Sequence, residues 1–156
     1  MGTTKKAGRY NRVHSQIEEL LHKTDDPISK MATINAILHH KMDHFFWTGF
    51  YLIHDGQLRV GPYQGPVACQ ILEKNKGVCW SAINGGKTII VPDVEKFSGH
   101  IACDSRSKSE IAIPIKDEKG MIIGVLDVDS QISNNFDDED AAYLEKITTL
   151  IFNPQI

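Results

Sequence analysis

The chain has 156 residues, a formal net charge of −3, 41% hydrophobic and 24% charged residues, the balance of one globular domain long enough to build its own core. A slightly acidic chain offers no basic field to a phosphate backbone, so no nucleic acid is expected as a main partner, and no stretch is apolar enough to span a membrane. Met1–Lys6 has neither the apolar run of a signal peptide nor the hydroxyl residue of a myristoylation motif, so a cytoplasmic location is expected.

Residues 1–9 read as a flexible, polar N-terminal segment and 10–156 as a single domain. A first helix is expected over 9–23, with Val13, Ile17, Leu20 and Leu21 at helical spacing. Asp26-Pro27 caps a second helix that runs to Met42, with Ile28, Met31, Ile34 and Leu38 on one face. Phe45–Ile53 is aromatic-rich and reads as a strand. Asp55-Gly56 is a hairpin signal, and Leu58–Gln64 returns as its partner, where Pro62 indicates an edge or a bulge.

The segment 65–108 is irregular and holds all three cysteines, Cys69, Cys79 and Cys103. Within it a short helix is expected at 77–84, closed by Gly85-Gly86, and a strand at Thr88–Val91. The stretch 94–108 lacks apolar periodicity, and a loop of that length in a small domain usually serves function. Glu110–Ile115 and Met121–Asp129 form a second hairpin around Asp117–Gly120. Acids at 137–140 then open a last helix, with Tyr143, Leu144, Ile147 and Ile151 as its stripe. The order predicts an α+β fold, a mostly antiparallel sheet of about six strands with helices packed on it.

Three residue sets carry potential chemistry. An odd, low cysteine count argues against a disulfide framework, and the spacings lack the short Cys-x-x-Cys pairs of zinc sites. A set of Cys69, Cys79, Cys103 and His100 is the weakly supported zinc alternative, and no metal or other cofactor is expected. Cys103 lies in a polar loop, where a thiol is accessible and so reactive. Glu110, Asp127 and Asp129 fall at the open end of the second hairpin. Asp127 and Asp129 share one face, although aspartate is disfavoured in strands; clustered acids hold protons more readily and can donate them near neutral pH. Trp47 and Tyr51 share a face of the first strand, either as core or as the wall of a pocket for a methylthio group.

These residues, read with Trp47-Thr48-Gly49-Phe50-Tyr51, Gly61-Pro62-Tyr63-Gln64-Gly65, Gly77-Val78-Cys79, Phe97-Ser98-Gly99-His100-Ile101-Ala102-Cys103-Asp104 and Gly124-Val125-Leu126-Asp127-Val128-Asp129-Ser130, carry a resemblance. From about residue 10 to 151 the chain resembles the free methionine-R-sulfoxide reductases, which are single GAF domains. Trp80 departs from the family pattern, which has glycine after Gly-Val-Cys. The resemblance implies reduction of free L-methionine-R-sulfoxide to methionine, with electrons from thioredoxin or a similar dithiol, and it suggests a homodimer. In the implied mechanism Cys103 attacks the sulfoxide sulfur, and Glu110 supplies a proton. Asp127 and Asp129 polarise the oxygen and hold the substrate, while Trp47 and Tyr51 bound its methyl end. Cys103 then becomes a sulfenic acid that Cys69 closes to a disulfide, and Cys79 stands in reserve. The main rival reading is a non-catalytic GAF sensor module that binds a small molecule. A peroxide-reactive thiol sensor is a second.

Overall fold

In the computed structural model, which describes residues 4–100 and 103–152, alternating side chains along the strands build a core on each face of one sheet. The strands are β1 (Trp47–His54), β2 (Gln57–Gln64), β3 (Ile71–Leu72), β4 (Ile89–Val91), β5 (Ser109–Lys116) and β6 (Ile122–Ser130). They lie in the order β3-β2-β1-β6-β5-β4, and each neighbouring pair is antiparallel. The helices are α1 (Lys5–Leu21), α2 (Pro27–Lys41), α3 (Gly77–Gly85) and α4 (Asp138–Thr148).

On one face Phe50, Leu52, Ile111, Ile113, Leu126 and Val128 meet the apolar stripes of α1, α2 and α4. On the other, Trp47, Tyr51, Ala112 and Val125 meet Val78, Cys79, Ala82 and Ile83 of α3. Burying one large aliphatic side chain stabilises a fold by about 1.5–3 kcal/mol, so the first face, with three helices on it, carries most of the stability. The second face is covered by one short helix and by the loops on either side of it, which leaves room for a site.

The predicted hairpins form. Asp55 and Gly56 both take positive φ, 52° and 76°, the geometry of a tight two-residue turn. A bulge at Gly61-Pro62 faces Phe50, because Gly49 pairs with Tyr63 and Tyr51 with Val60. Asp26 and Pro27 start α2, and Gly86 closes α3 in the left-handed conformation at φ 66°.

Several boundaries differ from the sequence reading. α1 begins at Lys5, a turn before the expected start, because Thr4 caps it by accepting from the Ala7 N–H at 2.9 Å. Tyr10, Val13, Ile17 and Leu21 make the buried stripe, and Leu20 falls beside that line and is exposed. The stripe of α2 is buried from Met31 onward and leaves Ile28 exposed. Strand β3 and a 3₁₀ turn at Val94–Lys96 are too short for periodicity to reveal.

The acid-rich start of α4 is more than a solvated first turn. Asp137 and Asp140 form a reciprocal capping box, and Asp140 is fully buried. Its carboxylate accepts from the Tyr10 hydroxyl at 2.6 Å, His44 Nε2 at 2.8 Å and Lys6 Nζ at 2.8 Å. This cluster ties the first helix, the approach to β1 and the last helix together.

Candidate active site

The sheet register assembles the acids. Glu110 pairs with Asp129, Asp129 with Trp47, and Asp127 with Gly49 and Ala112. Their side chains therefore rise as two adjacent rows on the α3 face. Trp47, Tyr51, Cys79, His100, Cys103, Ser107, Glu110, Asp127 and Asp129 all line one cavity of about 50 Å³. The candidate site residues read from the sequence thus converge, and Cys69 reaches the same place through its bond to Cys103.

Gly49 makes the aromatic wall possible. A Cβ there would overlap the Trp47 ring and the Tyr63 side chain. Without it, Trp47 stacks between Tyr51 and Tyr63, with ring centroids at 5.7 and 5.3 Å. The polar ends of these rings have a second task. Trp47 Nε1 donates to the Pro66 carbonyl at 3.0 Å and the Tyr51 hydroxyl to the Cys69 carbonyl at 3.3 Å. The wall therefore also anchors the segment that carries Cys69.

Cys69 and Cys103 are disulfide-bonded across the cavity, with Cα atoms 5.5 Å apart and a sequence separation of 34. A cavity of about 50 Å³ in this state accommodates a few water molecules and no whole amino acid. The bond removes both sulfurs from the alternative zinc set that included His100. Cys79 is free and buried at the start of α3.

The acids sit in a dry environment. Burial pushes Glu110 and Asp129 well above the usual carboxylate range, and the charge of Asp127 pushes both further. Asp127 is raised less, because Glu110 and Cys79 donate hydrogen bonds to it. Glu110 therefore keeps its proton to higher pH than an exposed carboxyl does. Burial, then the neighbouring acids, push the Cys79 thiol well up, so it is a poor nucleophile. The Ser107 hydroxyl donates to Asp129 at 3.4 Å, while Asp127 Oδ1 and Asp129 Oδ1 have no hydrogen-bond partner among the described residues.

At the mouth, Arg106 lies 5.0 Å over the Phe46 ring and grips Asp104 with two donors, at 3.0 and 2.7 Å. That pairing brings Asp104 down to about 2 and neutralises the charge next to Cys103. His100 is half-buried, lines the cavity and has Nδ1 unpartnered among the described residues; burial lowers its pKa. Ser107 and the carbonyl anchors of Trp47 and Tyr51 escaped the sequence reading, since contacts across 18 to 22 residues leave no local pattern.

Comparison with known proteins matches this frame. Residues 34–152 match the GAF domain family, which makes the chain a member of that family. GAF domain-containing protein A of Dictyostelium discoideum is 48% identical over 149 residues, 95% of this chain and 93% of that one. The free methionine-R-sulfoxide reductase of Escherichia coli is 40% identical over 120 residues, covering 77% and 72%. A free methionine-R-sulfoxide reductase from Neisseria meningitidis, solved with its substrate, superposes with a TM-score of 0.90 at 37% identity over 97% of this chain and 90% of that one. Within the GAF family the chain belongs with the free methionine-R-sulfoxide reductases.

Proposed function

We propose that the chain reduces free methionine-R-sulfoxide to methionine. The observation that carries this reading is a cysteine pair, Cys69 and Cys103, joined over a pocket floored by the buried acids Glu110 and Asp127 with half-buried Asp129 beside them, and walled by Trp47 and Tyr51. Sulfoxide reduction needs those parts together: a thiolate for the sulfur, a proton for the departing oxygen, and an apolar contact for the methyl group.

In the reduced chain Cys103 is the nucleophile, because it is exposed at the mouth whereas Cys79 is buried and held protonated. Its thiolate attacks the sulfoxide sulfur, and Glu110 gives its proton to the oxygen. The protonated oxygen then passes from the substrate sulfur to the Cys103 sulfur as the bond between the two sulfurs breaks, so methionine leaves with the electron pair and Cys103 is left as a sulfenic acid. Cys69 then attacks Cys103, water departs and the disulfide forms. An external dithiol such as thioredoxin reduces it by exchange, as in a cytoplasm that supplies reduced thiols. Asp127 and Asp129, with unpartnered oxygens facing the cavity, hold the polar end of the substrate.

The decisive assay uses free L-methionine-R-sulfoxide with dithiothreitol, and the S epimer as control. Wild type is expected to turn over the R epimer alone. Cys103→Ser is expected to lose at least about a thousandfold in kcat/KM without loss of stability relative to the reduced wild type. Turnover that survives Cys103→Ser moves the nucleophile to another cysteine. No turnover by reduced, folded chain sinks the enzyme and leaves a ligand-binding GAF module.

A further inference from the structure

We propose that Cys79, Glu110 and Asp127 form a binding site for a thiophilic divalent cation of the zinc class, inside the same pocket. One sulfur and two carboxylate oxygens lie within 4.8 Å of one another, and all three residues are buried. In a tetrahedral zinc site, ligand atoms sit about 3.5 Å apart, so rotamer adjustments of about 1 Å close the set. The cavity provides the fourth position, which water can fill.

A second observation points to a ligand here. Asp127 is 5% exposed and lines the cavity, yet its Oδ1 has no hydrogen-bond partner among the described residues. A buried carboxylate oxygen left in that state is costly, and a cation relieves it. The thiol decides which cation. An ammonium group gains nothing from Cys79, and hard cations such as magnesium or calcium select oxygen alone, whereas zinc-class ions bind sulfur strongly. This set differs from the zinc alternative of Cys69, Cys79, Cys103 and His100, since the disulfide removes Cys69 and Cys103. Burial holds protons on the empty cluster, so binding releases them to solvent. The cation occupies the acids assigned above to the sulfoxide, and the two ligands exclude each other. The cation site stands apart from the reductase reading, and only this competition rests on it.

The test begins with tag-free, metal-free chain whose Cys69–Cys103 bond is intact. Cobalt(II) is expected to bind one equivalent with a thiolate-to-metal charge-transfer band in the near ultraviolet, and zinc to displace it while protons are released. Cys79→Ser removes the band, and Asp127→Asn weakens zinc binding at least about tenfold; circular dichroism confirms that each variant is folded. If Cys79→Ser does not fold, Asp127→Asn carries the comparison. Absence of the band, or equal affinity in the folded variants, overturns the proposal. In a Cys69→Ser, Cys103→Ser chain, whose sole thiol is Cys79, free methionine-R-sulfoxide is expected to raise the apparent Kd for zinc. One-equivalent binding with the band but without that competition keeps the cation site and overturns the assignment of these acids to the substrate.

Discussion

The chain buries carboxylates in two places and treats them in opposite ways. At Asp140 a lysine, a tyrosine hydroxyl, a histidine and the Asp137 backbone N–H all reach the carboxylate, and these bonds hold it well below the usual range despite burial. At Glu110, Asp127 and Asp129 the acids have no cation partner among the described residues; they face one another and rise. A satisfied buried acid is a rivet, stabilising and inert. An unsatisfied cluster costs stability and stays ready for a ligand or a proton transfer. The difference separates scaffold from site without reference to any relative.

The largest test of that contrast is Glu110→Gln. If Glu110 is the proton donor as proposed, its replacement is expected to cost roughly a thousandfold in kcat, or about 4 kcal/mol, with the melting temperature unchanged or raised. A sharp fall in melting temperature would make Glu110 part of the scaffold instead. Asp140→Asn should behave the other way. Loss of the charge beside Lys6 and of its charge-assisted bonds is expected to destabilise the fold by about 3 kcal/mol in urea titrations, while the folded fraction keeps its kcat/KM.

The pH dependence of stability separates the two clusters without chemistry. Asp140 has a folded pKa below its unfolded value near about 4, so its contribution is present above that pH and is lost as pH falls below it. Glu110 and Asp129 have folded values above theirs. They oppose folding at neutral pH, and that opposition fades as pH falls toward about 4. Stability should therefore peak on the mildly acidic side, with Asp140→Asn flattening the acid limb and Glu110→Gln the neutral limb. A profile unmoved by both variants would break the contrast. The smallest effect is expected from Asp129→Asn, a gain of about 0.5–1 kcal/mol as one repelling charge disappears, together with a raised KM.

How much of this is legible in the sequence follows from the range of each interaction. Asp127 and Asp129 stand out because aspartates two apart in a strand are locally costly, and a two-residue period fixes their common face. Trp47 and Tyr51 are legible as wall residues for the same reason. Asp140 is not, because a first-turn acid reads alike whether it faces water or three partners 96 to 134 residues away. The pairing of Cys69 with Cys103 escapes spacing too, and entered only through family resemblance. Trp80 is buried in the second core, where its indole N–H donates to the Leu72 carbonyl at 3.3 Å. Its bulk thus fastens β3 to α3, and it lies outside the residues that line the cavity.

The bond between Cys69 and Cys103 has a consequence beyond chemistry. It closes a loop spanning 34 residues of sequence, and in the chain-entropy account such a loop stabilises a fold by about 4 kcal/mol. Under the proposed catalytic cycle, oxidation therefore hardens the molecule and reduction softens it. In the proposed cycle the form that meets substrate is the looser one, and limited proteolysis is expected to cut the reduced chain faster than the oxidised one.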